Sequence, residues 1–246
     1  MEFIIADSAE DMSRRAADHI AAWVQADPAC VLGLATGTTP IGLYAELVKD
    51  CAAGKVSFAD ATTFNLDEYR GLAPEHDQSY RYFMKKHLFD HVDIDQSRTH
   101  VPEGSNPDAE EVCAAYEEAI AAEGGIDLQL LGLGPNGHIG FNEPEDTFPV
   151  ATHCVDLTES TIEANSRLFD SVDDVPRQAY TMGIGTIMAA RSVLMVVEGS
   201  HKAEIVKQAF FGPVTPQVPA SILQFHHDVT VIVDPAAGEL CRDLCA

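Results

Sequence analysis

The segment IDLQLLGLGPNGHIGFNEP, Ile126 to Pro144, decides the fold. Its first half, apolar apart from Asp127 and Gln129, reads as a short buried strand. Its second half sets glycines 132, 134, 137 and 140 around His138 and Glu143. In an open parallel sheet ligands lie beyond the carboxyl ends of the strands, so a strand that empties into a glycine-lined loop carrying ionisable groups is where chemistry is to be sought.

Outward from this segment the same alternation repeats. Phe3–Ala6, CVLGLA (Cys30–Ala35), SVLMVVEG (Ser192–Gly199) and VTVIVD (Val229–Asp234) read as further strands, and TTFNLDEY (Thr62–Tyr69) as a strand running into a loop. Amphipathic segments lie between them. Ser8 with Asp11 caps a helix to about Gln25, with Met12, Ala16, Ile20 and Trp23 as its apolar stripe. Other helices are expected over Ile41–Lys49, Tyr80–His91, from Pro107 to Gly124, and over SHKAEIVKQAFFG. The expected class is α/β, a mostly parallel sheet with helices on both faces. With no internal repeat, low-complexity run or linker, residues 1–246 form one expected domain, and the polar stretch Asp156 to Pro176 is its expected flap.

Charge narrows the partners. Fifteen Lys and Arg against 39 Asp and Glu give a net charge of −24, which disfavours nucleic acid and anionic lipid. Any anionic ligand must be held by a few local cations. No apolar run approaches the ~20 residues of a membrane span, and six scattered cysteines without a CxxC pair fit reduced thiols in the cytoplasm. Cys241 and Cys245 alone do not make a metal site.

Three strand-end junctions carry chemistry. In GLATGTTPIGLY, Thr36, Gly37, Thr38 and Thr39 precede a helix with Pro40 at its first turn. Small residues, hydroxyl donors and the helix dipole suit a phosphate there. The segment is neither GxGxxG nor a Walker loop, so a nucleotide is disfavoured, and a tight turn with a threonine cap is the alternative. In FNLDEYRGL, alternation sends Asp67 and Glu68 to opposite sides, so at most one faces a site as a general base. Read alone, this segment is better taken as two solvated acids. In the opening stretch, His138 is suited to proton transfer near neutrality, with Glu143 and Asn136 close enough in sequence to orient it. No serine or cysteine nucleophile and no zinc spacing accompanies it. Arg167 and Lys202 complete the inventory: in a chain with so few cations either could clamp a phosphate, with plain surface placement as the alternative.

Taken in order, LATGTTPIGLY, FNLDEYRGL, SYRYFMKKHLFDHVDI, GLGPNGHIGFNEP, ANSRLF, MGIGTIM and GSHKA resemble the glucosamine-6-phosphate deaminase family over nearly the whole chain. The resemblance implies a Rossmann-like fold shared with sugar-phosphate isomerases and a small-molecule sugar-phosphate substrate. It implies cofactor-free conversion of glucosamine 6-phosphate and water to fructose 6-phosphate and ammonia. It makes Asp67 the base acting between C2 and C1, and His138 the ring-opening acid and base tuned by Glu143 and Asn136. Thr36 to Thr39, Arg167 and Lys202 become the phosphate holders. The chain departs from some members in carrying Asn136 for Asp, and Thr38 for a second glycine. Allosteric hexameric members use basic residues after the NEP motif and a longer carboxyl-terminal region. PEDTFPVATHCVDL has no Lys or Arg, so a non-allosteric monomer or small homo-oligomer is expected. Two alternatives stand beside this reading, a 6-phosphogluconolactonase-like hydrolase with a related GxGxDGHxAS motif and a non-catalytic sugar-phosphate sensor.

Overall fold

The computed structural model describes residues 1–166, 169, 171 and 174–244. Strands β1 (Glu2–Ile5), β2 (Val31–Leu34), β3 (Thr62–Asn65), β5 (Thr99–His100), β6 (Leu128–Gly132), β9 (Ser192–Val197) and β10 (Val229–Val233) make one sheet. It is parallel throughout, in the order β1, β10, β9, β6, β2, β3, β5. A second, antiparallel sheet joins β4 (Asp67–Tyr69), β8 (Gln178–Thr181) and β7 (His153–Asp156). The helices are α1 (Ala9–Ala26), α2 (Pro40–Ala52), α3 (Tyr80–His87), α4 (Ala109–Ala122), α5 (Glu159–Ser166), α6 (Ile184–Met188) and α7 (Ala203–Phe211).

The local causes are those expected. Ser8 Oγ accepts the Asp11 N–H at 3.1 Å and starts α1, with Glu10 and Asp11 at its positive end. In β9, five successive residues from Val193 to Val197 are 0–1% exposed. Successive side chains point to opposite faces, so both faces of the sheet are covered, which explains why its strands read as continuous apolar runs.

Strand order locates the site. From β2 the chain steps to β3 and β5; it then returns to β6 on the other side of β2 and proceeds to β9 and β10. The direction reverses between β2 and β6, and a crevice opens beyond the carboxyl ends of strands at such a reversal. The loops after β3, β2, β6 and β9, four neighbours, converge there.

Several expectations are corrected. TTFNLDEY is two strands, because the chain changes sheets at Leu66. The Leu66 N–H donates to Leu34 O at 3.0 Å beside the parallel sheet, and its carbonyl accepts the Met182 N–H at 2.8 Å at the end of β8. The helix expected to His91 stops at His87. Leu88 leaves helical geometry at φ −141°, ψ −63°, and a 3₁₀ turn Phe89–His91 follows. Within the expected flap, Glu159–Ser166 is helical, and part of the remainder lies outside the described residues.

Candidate active site

A cavity of about 690 Å³ occupies the crevice, and its walls include Thr36 to Thr39, Asp67, His138 and Lys202. Four of the sequence-identified segments therefore meet in one place. Arg167 lies outside the described residues.

The threonine loop follows β2. Gly37 has φ +100°, a left-handed conformation that favours glycine. Tyr44, fully buried on α2, donates its hydroxyl to Ala35 O at 2.6 Å and ties the start of the loop to the helix it feeds. Pro40 occupies the first turn of α2, and Thr39 makes no side-chain cap bond. Across the cavity, Lys202 donates to Leu133 O at 2.6 Å, and burial lowers its pKa to about 8.

Asp67 opens the antiparallel sheet and is 7% exposed, while Glu68 is 2% exposed, so neither is a solvated acid. Alternation holds, since Asp67 lines the cavity and Glu68 does not. Burial pushes both carboxyls upward, and the Glu68 charge pushes Asp67 further.

His138 is held from two sides. Its Nδ1 lies 3.3 Å from Glu143 Oε1, and its backbone N–H donates to Asn136 Oδ1 at 3.2 Å. Asn136 Nδ2 donates to Glu143 Oε2 at 2.5 Å and Thr161 Oγ1 to Glu143 Oε1 at 3.2 Å. Burial pushes Glu143 up, but contacts with His138, Asn136 and Thr161 outweigh it and hold the carboxyl below its usual range. Asn136 thus acts on the carboxylate and the loop backbone, one layer behind the imidazole. The ring lies against Gly134, where an added Cβ would meet His138 Cδ2 and Nε2 at 2.2 Å. Gly134→Ala is expected to displace the ring by about 1 Å and lower kcat about 100-fold. A retained melting temperature with lost turnover would verify this, because Gly134 needs no left-handed backbone.

One anchor serves both Asp67 and the His138 loop. Thr181 pairs with Asp67 in the antiparallel ladder, and its Oγ1 accepts the Phe141 N–H at 3.0 Å. Asn142 Nδ2 donates to Met182 O at 2.8 Å, so the loop carrying His138 is fastened to the strand end that positions Asp67.

Sequence reasoning missed Tyr80, Phe141 and His201 as cavity-lining residues. Tyr80 and Phe141 stack nearly parallel, 5° apart with centroids at 6.2 Å, and Tyr69 packs on Tyr80 at 4.9 Å. Ser79, whose Oγ accepts the Tyr82 N–H, was the available signal, since a capped helix start fixes its first side chain. No cluster of three or more potential metal ligands occurs among the described residues, and none of their helices is long and apolar enough to cross a membrane.

Residues 5–232 match the model of the glucosamine-6-phosphate isomerases/6-phosphogluconolactonase family. The chain belongs to this family. A glucosamine-6-phosphate deaminase from Clostridium perfringens (strain 13 / Type A) is 52% identical over 242 residues, spanning 98% of this chain and all of that protein. One from Halothermothrix orenii is 52% identical over 240 residues, again 98% of this chain and all of the other. The solved structure of a monomeric glucosamine-6-phosphate deaminase superposes with a TM-score of 0.94 at 42% identity, covering 98% and 100% of the two chains. The 6-phosphogluconolactonase from Trypanosoma brucei, at 21% identity and TM-score 0.78 over 97% of each chain, shares the family fold.

Proposed function

We infer that the chain converts glucosamine 6-phosphate and water to fructose 6-phosphate and ammonia, an aldose–ketose isomerisation coupled to deamination in amino-sugar catabolism. One observation carries the reading: a buried carboxylate and a carboxylate-held imidazole open into one cavity, with a hydroxyl-rich helix start and a lysine lining it as well.

The chemistry follows from those positions. The cyclic sugar has no acidic C2 proton, so His138 first moves a proton from the C1 hydroxyl to the ring oxygen and releases the open chain. The C1 carbonyl then acidifies C2; Asp67 removes that proton while the C1 oxygen takes up one released by the substrate ammonium, giving an enolamine, and Asp67 then returns its proton to C1. The double bond moves to C2 and nitrogen, and water displaces ammonia from the resulting iminium. Glu143 stabilises the charged imidazole, and Asn136 holds Glu143. Thr36, Gly37, Thr38, Thr39 and Lys202 hold the phosphate, with Arg167 as a further candidate.

The lactonase alternative rests on a shared fold at 21% identity, whereas deaminases of 52% identity match nearly end to end. We take the protein to be non-allosteric and monomeric, in keeping with the monomeric deaminase it superposes on. A sigmoidal rate curve sharpened by N-acetylglucosamine 6-phosphate would overturn the first part. The activity is tested by incubating purified protein with glucosamine 6-phosphate, without added metal or nucleotide, and assaying both products. Equal release of ammonia and fructose 6-phosphate is expected; binding without release supports the sensor reading.

Lys202 gives this site a pH signature. A lysine with a lowered native pKa is charged below about pH 8 and loses its charge above it. Affinity for the phosphate therefore falls as pH rises through that value, up to about tenfold per pH unit. Glucitol 6-phosphate is the appropriate probe, because it lacks the substrate's own titrating amine. Its inhibition constant should rise between pH 8 and 9 in the unsubstituted protein and stay flat, at a weaker value, in Lys202→Met. A flat constant in both would remove Lys202 from the phosphate site.

A further inference from the structure

Glu68 has no part in the chemistry above, yet it is a carboxylate at 2% exposure beside the carboxylate assigned as base. Burying a charge is costly unless hydrogen bonds replace its water, and here three do. Glu68 Oε1 accepts the N–H groups of Tyr69 at 2.8 Å and Tyr80 at 2.9 Å, and Oε2 accepts the Arg81 N–H at 3.0 Å. Tyr80 and Arg81 are the first two residues of α3, and Ser79 Oγ takes the third N–H. A carboxylate is favoured at this positive helix end. The far side is closed as well, because a Cβ on Gly104 would meet Glu68 Cγ at 2.9 Å. Capping alone requires only the serine already present.

We propose that Glu68 is a positioning residue: held by three backbone N–H groups at the amino end of α3, its carboxyl fastens Tyr80 into the cavity wall and stands next in the chain to Asp67 as its electrostatic partner. This rests on the reading of Asp67 as the base. The other groups facing the pair do not cancel the charge. Tyr69 on β4, Tyr80 on α3 and Tyr116 on α4 are neutral phenols pushed upward by burial. Arg81 is the nearby cation, but its guanidinium donates to Thr99 Oγ1 at 2.7 Å and Thr99 O at 3.0 Å. Glu103 acts on Arg81 from the loop beyond. A base whose proton affinity lies near the working pH is more effective than an ordinary aspartate.

The test separates charge from reach. Glu68→Gln keeps the oxygen that serves Tyr69 and Tyr80 but removes the charge together with the acceptor of the Arg81 N–H, whereas Glu68→Asp keeps the charge one methylene short. In Glu68→Gln the acid limb of the kcat/KM profile should move down by about one pH unit, and in Glu68→Asp it should stay with the unsubstituted protein. Substrate ionisations are common to all three. A merely structural role would lower melting temperature and kcat in both variants with the limb unmoved, and that result overturns the proposal. If Glu68→Gln does not fold, carbon-13 NMR of carboxyl-labelled unsubstituted protein decides. Asp67 should titrate in two steps coupled to Glu68, and a single independent step overturns the proposal. Absence of ammonia release by the unsubstituted protein would instead remove the reaction itself, and the NMR titration does not depend on turnover.

Discussion

Asp67→Asn stops exchange of the C2 hydrogen with solvent and lowers kcat about 10³-fold, within the range for loss of a general base, while the sugar phosphate still binds. Asparagine preserves the shape at the start of β4 and its pairing with Thr181, so only proton transfer is removed. The same substitution should stabilise the protein. Asp67 has a raised native pKa, because burial and the Glu68 charge both oppose ionisation. A carboxyl raised above its unfolded value, about 3.9, contributes stability below that value and loses it as pH rises through the native one. At neutral pH the unsubstituted protein therefore carries a penalty that Asp67→Asn lacks, and the variant should melt higher. Each 1 kcal/mol recovered is about 2–4 °C in a domain of this size. The gap should close below about pH 4, where both proteins are uncharged at this position. Retained C2 exchange would remove Asp67 from its role, and a gap that widened in acid would contradict the raised pKa.

His138→Gln should lower kcat on the natural sugar by about 10²- to 10⁴-fold and do much less on a substrate that cannot cyclise. A suitable one is 4,5-dideoxyglucosamine 6-phosphate, which has no hydroxyl able to close the pyranose or furanose ring. The difference arises because His138 is assigned to ring opening and Asp67 to the C2 proton. The substituted glutamine would still contact Glu143 yet has no titratable nitrogen, so a substrate already open bypasses the missing step. Equal losses on both substrates would place His138 at C2 chemistry and overturn the division of labour.

Much of this was legible before any coordinates, for physical reasons that differ by residue. The strands of the parallel sheet could be read because burial on both faces makes them continuously apolar, as in Val193–Val197. His138 and Glu143 were legible as a pair because a five-residue separation inside one glycine loop almost obliges contact. The antiparallel sheet was not. HCVD and QAYT, β7 and β8, are four residues each and half polar, and neither carries a local signal of its partner. The burial of Glu68 was hidden for a related reason, since two of its three hydrogen-bond donors, Tyr80 and Arg81, lie twelve and thirteen residues away. Alternation separated Asp67 from Glu68 correctly, but no local pattern reveals that α3 folds back over them.

The shared anchor at Thr181 and Met182 has a mechanical meaning. Asp67 and the loop bearing His138 are tied to the same strand end, so β8 sets how far apart these two side chains stand. Thr36 to Thr39 and Lys202 ride on β2 and β9 of the other sheet. The His138 loop itself leaves β6 of that parallel sheet, so it bridges the two sheets. The spacing of Asp67 from His138 is therefore a property of how the two sheets are stitched together, at Leu66 and at Asn142, and not of either sheet alone.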